Sequence, residues 1–191
     1  MIEPEQVGDE RQRISLADAS APINPEQAAE MLGQALAQRH QTPVVADDAV
    51  SLTELAGQLQ AAAAADPQRT IDSGPYLDRR VEDLAAIAVE TAASIGGDVD
   101  AAGVSPGLTL DVVELDRDGV LHIVGPSMAS DRHLDLAGAS VGLAVRFGPA
   151  IVAPFLTSYG MDAVDLRRLD LCQLLLTIAE AVDFDFLSAS S

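Results

Sequence analysis

The chain has 191 residues, with 30 acidic residues against 11 basic ones and a formal net charge of -19. All the basic residues other than histidine are arginines, tryptophan is absent, and Cys172 is the single cysteine. Without lysine the chain has no Walker-type phosphate loop, no Schiff-base chemistry and no kinase-type lysine clamp on phosphates. A single cysteine excludes an intrachain disulfide framework and a cysteine-rich zinc site.

The acidic balance also limits the partners that we expect. It repels phosphate backbones and anionic membrane surfaces, so we expect neither nucleic-acid nor membrane binding. The acidic, polar N-terminal residues differ from a secretory signal and favour a cytoplasmic location. The apolar stretch 137–156 is as long as a bilayer span, but it carries Arg146 near its middle, which predicts a buried core segment.

The first third of the chain predicts an acidic tail followed by two helices. Residues 1–24 have low hydrophobicity and no sustained period, which is typical of a mobile tail. The sequence Asn24-Pro25-Glu26 has the residues that begin a helix, and Ser51 with Glu54 has the spacing of a capping box. We expect residues 25–70 to form a helical hairpin appended to a core domain over 71–191.

The remaining sequence predicts an α+β core domain. A long helix is expected over 75–95, followed by a change to a period of two and a hairpin of strands over 108–115 and 120–124. Two further strands are expected over 141–147 and 150–155, and an apolar helix over 163–182 closes the chain. The predicted fold is therefore an antiparallel sheet of three to five strands, packed by the long helix and the closing helix, after a helical pair.

Two short motifs imitate known sites. Gly138, Ser140 and Gly142 match the G-x-S-x-G nucleophile elbow, but all three histidines precede Ser140, whereas the elbow's histidine follows its serine. Glu114, Asp116 and Asp118 imitate part of a calcium loop that lacks its final acidic ligand. We interpret the first as close packing of small residues at a turn and the second as a hairpin turn.

The densest group of titratable residues lies around His133. Asp131 and Asp135 flank it, and His122 lies on the second strand of the predicted hairpin. A histidine between two carboxylates suits a general base, and two histidines with an aspartate suit a divalent ion. These four residues are the candidate catalytic residues, although solvated loop side chains explain them as well; we expect no cofactor and no bound metal. Arg167 and Arg168 are expected to pair with aspartates of their own helix.

From these patterns we expect a non-catalytic protein-binding or assembly module, acidic, chaperone-like or adaptor-like, and dimeric. The closing helix is apolar nearly all round, which suits either the core or a subunit interface, and the acidic surface suits a basic protein partner. The alternative is a small-molecule enzyme or binder with a pocket near His122, Asp131, His133 and Asp135.

Overall fold

A computed structural model describes residues 13–44, 49–96, 99–105 and 107–187. This part of the chain is α+β, as predicted, with six α-helices and two small antiparallel sheets. The helices are α1 (Pro25–His40), α2 (Leu52–Ala63), α3 (Val81–Ile95), α4 (His133–Phe147), α5 (Val152–Tyr159) and α6 (Leu166–Ala181). The strands are β1 (Ile14–Ser15), β2 (Ala101–Val104), β3 (Val113–Leu115), β4 (Leu121–Ile123) and β5 (Met128–Asp131).

Side-chain caps fix the starts of three helices. The Asn24 side chain accepts the amide hydrogens of Glu26 and Gln27, and the Ser51 hydroxyl oxygen accepts that of Glu54. The Asp165 carboxylate accepts the amides of Arg167 and Arg168 at the start of α6. Each cap satisfies backbone donors that the first helical turn leaves unpaired. The predicted starts of α1 and α2 are confirmed.

The sheets are small and lie against the helices. In the first sheet β3 is the centre, with β1 and β4 antiparallel on either side, and Val113 stands opposite Ile123. In the second sheet β2 pairs antiparallel with β5, so that Ala101 stands opposite Asp131. The hairpin of β3 and β4 was predicted, and β2 and β5 were not.

The strands predicted over 141–147 and 150–155 are wrong, because these residues lie in α4 and α5. Gly148, at a φ of +94°, ends α4, and Pro149 begins the short 3₁₀ turn that leads into α5. The glycine and proline therefore separate two helices, and not two strands. Packing outweighs the strand preference of valine and phenylalanine here, since Leu143 and Phe155 are fully buried in the core.

Other boundaries differ less. The third helix begins at Val81, after a 3₁₀ turn over Gly74–Tyr76, and not at residue 75. Residues 1–12 of the predicted tail lie outside the described residues. Within the rest of it, β1 pairs with β3 and Leu16 is fully buried, so residues 14–16 are packed against the sheet. The separation of a hairpin over 25–70 from a core domain over 71–191 stays a prediction.

The apolar last helix lies at the centre of the molecule. α6 packs against α2, α3 and α4, and α1 packs mainly against α5. Leu171, Cys172, Leu175 and Ile178 are at most 1% exposed, so neighbouring helices of the same chain cover this part of α6. The homodimer stays a prediction, but α6 no longer requires one. No helix of the described ranges is long and apolar enough to cross a membrane.

Candidate functional site

A cavity of about 630 Å³ lies where α4, α6 and the segment after α6 meet. α4 contributes Gly138, Val141 and Gly142, and the loop that precedes β3 contributes residues 107–109. α6 and the following segment supply the rest of the lining: Gln173, Leu176, Thr177, Ala179, Glu180 and residues 183–187. A volume of this size is in the range of pockets that hold small molecules.

Two glycines of α4 shape one side of this cavity. A side chain on Gly138 would collide with the Leu108 carbonyl oxygen, and a Cβ on Gly142 would lie 2.9 Å from the Leu110 Cγ atom. Only residues without a side chain let the loop approach the helix this closely. The G-x-S-x-G match thus marks close packing of small residues, as expected, but the segment lies inside α4 and not at a turn. Ser140 is 2% exposed in the interior of this helix.

The charged groups that line the cavity are all acidic. Glu180, Asp183 and Asp185 carry carboxylates, and the lining contains neither arginine nor histidine. Arg69 approaches Asp183 at 3.6 Å from outside the lining, in a largely exposed ion pair. The charge of the lining residues is therefore negative, and a negative lining favours a cation over an anion.

Buried hydrogen bonds fix the chain just before the loop that lines the cavity. The Asp135 carboxylate is fully buried and accepts the Ser105 amide hydrogen at 2.8 Å. Its other oxygen lies 3.1 Å from His40 Nε2, and His40 Nδ1 lies 2.9 Å from the Tyr159 hydroxyl. Arg39 donates to the Gly103 carbonyl and to the Ser105 hydroxyl. These bonds from α1, α4 and α5 hold residues 103–105 in one position.

The structure places Asp131 and His133 in a second buried network. His133 Nδ1 lies 2.7 Å from the Asp131 carboxylate, and His133 Nε2 accepts the Asp165 amide hydrogen at 2.9 Å. Because Nε2 is an acceptor, the ring proton is on Nδ1, and both ring nitrogens are engaged. Arg168 donates to the second Asp131 oxygen. Burial alone would raise the pKa of Asp131, but the hydrogen bonds from His133 and Arg168 hold it below its ordinary value.

This network borders a second, shallower depression of about 430 Å³, which Asp100, Asp162 and Asp165 also line. Arg168 pairs with Asp165 at the start of its own helix, as expected, at 3.8 Å. It also makes a shorter contact of 2.5 Å with Asp131 on β5. Arg167 also reaches outside α6 and donates to the Ser94 hydroxyl at the end of α3. The sequence shows only the aspartates next to Arg167 and Arg168. The fold adds closer partners from outside α6 to both arginines.

His122 makes a hydrogen bond away from the other three predicted residues. Its Nε2 lies 2.9 Å from the Asp116 carboxylate at the turn of the hairpin. Asp116 also accepts the amides of Asp118 and Val120, and the His122 contact is the main reason that its pKa is lowered. These bonds describe a hairpin turn, as expected, and not a calcium loop. Asp131 ends β5, and His133 and Asp135 lie in the first turn of α4; the three residues belong to two networks. Their catalytic role stays a prediction.

Comparisons with known proteins find solved structures with a similar fold. No family model matches the chain, and no curated protein matches it. Among solved structures, an aminoglycoside-3'-phosphotransferase of type VIII is similar over 81% of this chain and 61% of its own, with 26% identity and a TM-score of 0.62. Choline kinase LicA from Streptococcus pneumoniae is similar over 94% and 59%, with 16% identity and a TM-score of 0.63.

The spectinomycin phosphotransferase APH(9)-Ia, in its AMP-bound complex, is similar over 86% of this chain and 58% of its own, with 14% identity and a TM-score of 0.63. The chain therefore spans about six-tenths of the length of these structures. The prediction of a non-catalytic, chaperone-like protein-binding module is wrong: the similar structures are small-molecule phosphotransferases and a choline kinase, which point to an enzyme. They favour the alternative, a small-molecule enzyme or binder.

The cavity residues were missed by reasoning from the sequence. Glu180, Asp183 and Asp185 stand two or three residues apart, and Phe184 and Phe186 alternate with them. This alternation of acidic and aromatic residues was the available signal. It could not show that residues 107–109, more than 70 positions earlier, form the facing wall.

Proposed function

We propose that this chain recognises a small, positively charged molecule in the cavity between α4 and α6, within a fold of the small-molecule phosphotransferase type. The observation that carries the proposal is the cavity itself, which has the volume for such a ligand and three carboxylates without an arginine or histidine in its lining. A cation bound there exchanges water for carboxylate partners, and the long-range field of the acidic chain increases its rate of arrival.

The similar structures support the same chemistry. They are named for an aminoglycoside, for choline and for spectinomycin. Aminoglycosides and spectinomycin carry amino groups that are protonated at neutral pH, and choline is a quaternary ammonium alcohol. The shared feature of these molecules is a cation next to a hydroxyl group, and the carboxylates of the cavity suit the cation.

Phosphoryl transfer to the bound molecule is the second candidate, and the named activities of the similar structures favour it. Structures of LicA and of APH(9)-Ia contain AMP. The cavity does not fit a nucleotide, because three carboxylates would repel its phosphates and the chain has no lysine to hold them. Within the ranges that the structure describes, no three acidic, histidine or cysteine side chains are grouped to hold a metal ion. Among the described residues, the cavity carboxylates thus support cation binding more directly than phosphoryl transfer.

Calorimetry with choline, spectinomycin and an aminoglycoside tests the first proposal. We expect binding that weakens with added salt, and a Kd about twofold to thirtyfold higher in the double variant Glu180→Gln, Asp185→Asn, since each exposed carboxylate contributes about 0.2–1 kcal/mol. Glu30→Gln on the exposed face of α1 is the matched control and should leave Kd unchanged.

Adding ATP and magnesium to the same mixtures, followed by mass spectrometry, tests the second candidate. A product heavier by one phosphoryl group supports phosphoryl transfer, and an unchanged ligand contradicts it. If none of the three cations binds, or if the double variant and the control bind equally, cation recognition in this cavity is wrong.

A further inference from the structure

The apolar residues that line the same cavity limit which cations fit it. The inference drawn from them rests on the proposed function. Leu108, Val141, Leu176, Phe184 and Phe186 are the large apolar residues that line the cavity together with Leu187. Leu108 is fully buried, whereas Leu176 and Phe184 are partly buried and Val141 is 48% exposed. Leu176, Phe184 and Val141 therefore keep apolar surface that is accessible to a ligand.

The aromatic part of this wall is held in place before any ligand arrives. The Phe184 and Phe186 rings meet edge to face, with centroids 5.3 Å apart and planes at 84°. The Phe184 amide donates to the Ala179 carbonyl, and the Leu187 amide donates to the Asp185 carboxylate. The first bond ties the segment to the end of α6, and the second closes a turn within the segment. Contacts of this kind reduce the ordering that binding must supply.

Polar side chains are few in the wall. Thr109, Gln173 and Thr177 are the uncharged polar residues of the lining, and the Thr177 hydroxyl already donates to the Gln173 carbonyl. A ligand with many hydroxyl groups would leave several of them against leucine, valine and phenylalanine without a hydrogen-bond partner, which is unfavourable. An alkyl or aryl group gains from the same contact.

We infer that the preferred ligand is a monocation with an alkyl or aryl arm: its ammonium group is attracted by the carboxylates, and its arm lies along the apolar wall. Choline satisfies the charge but has no such arm, and an aminoglycoside has several charges and hydroxyl groups but little apolar surface. The phenylalanine rings add attraction for an ammonium group that approaches a ring face.

A homologous series of trimethylammonium ions with alkyl chains of two to seven carbons, which stay monomeric, tests this by calorimetry. We expect Kd to fall by about twofold to fourfold for each added methylene group, because each one removed from water contributes about 0.8 kcal/mol at most. Leu176→Asn should reduce this dependence on chain length. Leu166→Asn is the matched control, since Leu166 is on the same helix, outside the cavity lining and 56% exposed. Thermal unfolding of both variants verifies that they are folded.

The outcomes separate the two proposals. If choline and the seven-carbon homologue bind equally, the inference of an apolar arm is wrong and cation recognition stands. The same holds if Leu176→Asn keeps the full dependence of Kd on chain length. If no ion of the series binds, cation recognition itself is wrong. If a neutral alcohol of equal chain length binds as tightly as the ion, the inference of an apolar arm is supported, and the proposal that the carboxylates recognise the charge is wrong.

Discussion

Replacing Gly33 by alanine should separate α1 from α5. A Cβ at this position would lie 2.6 Å from the Phe155 carbonyl oxygen and 2.9 Å from the Tyr159 amide nitrogen. Both are backbone atoms of α5, which cannot rotate away as a side chain does. The two helices must therefore move apart by several tenths of an ångström, and overpacking of this kind costs about 1–3 kcal/mol.

Gly57 in α2 is a matched control for this substitution. It also lies inside a helix, but it is exposed and a Cβ built on it meets no atom within 4 Å. Gly→Ala in a helix interior stabilises by about 1 kcal/mol through helix propensity, and this gain is common to both sites. The difference between the two alanine variants thus isolates the packing cost at Gly33.

Urea denaturation followed by circular dichroism measures this difference. We expect Gly57→Ala to be more stable than the unmodified chain, and Gly33→Ala to be less stable than Gly57→Ala by about 1–3 kcal/mol. Equal stability of the two variants, at unchanged m-values, would refute the close approach of α1 and α5 at Gly33.

Three further predictions concern buried groups. Burial raises the pKa of the Cys172 thiol well above its ordinary value, so the native protein at pH 8 should resist iodoacetamide and become labelled in urea; labelling of the native state contradicts this. The pKa of Asp131 is lower in the folded chain than in the unfolded one, so the stability that this carboxylate provides is complete above about pH 4 and decreases as the pH falls further. In urea denaturation at several pH values, the free energy of unfolding of Asp131→Asn should depend less on pH in the acid range. An unchanged dependence would contradict the lowered pKa of Asp131. His133→Ala removes hydrogen bonds to a buried carboxylate and an amide and should cost about 2–4 kcal/mol in the same assay. His122→Ala, whose side chain is 35% exposed, should cost much less; equal costs would contradict the difference in burial.

The sequence predicted the elements whose signals are local. The caps at Asn24 and Ser51 depend on residues within three positions, and the hairpin depends on the turn at 116–119, so both were found. The strands predicted over 141–155 were wrong because valine-rich sequence between glycine and proline suits a strand or a buried helix equally, and only the packing of α4 and α5 decides between them.

The candidate site could be predicted only in part. The group of Asp131, His133 and Asp135 is visible because the three residues are adjacent, but their hydrogen-bond partners Arg168, Asp165 and Ser105 come from distant segments. The cavity depends on the approach of the loop 107–109 to α4, which Gly138 and Gly142 permit. The spacing of residues in the sequence does not show that these two distant segments come together.

The pairing of β1 with β3 sets the order in which the chain can fold. Residues 14–15 form their strand only with residues 114–115, about a hundred positions later, and Arg13 pairs with Glu114 across the same distance. During synthesis Leu16 therefore stays without its partners until more than half of the chain has been made. Contacts of such long range slow folding, because the intervening loop must close before they form. The N-terminal strand should accordingly dock late, after the hairpin of β3 and β4 has provided its edge.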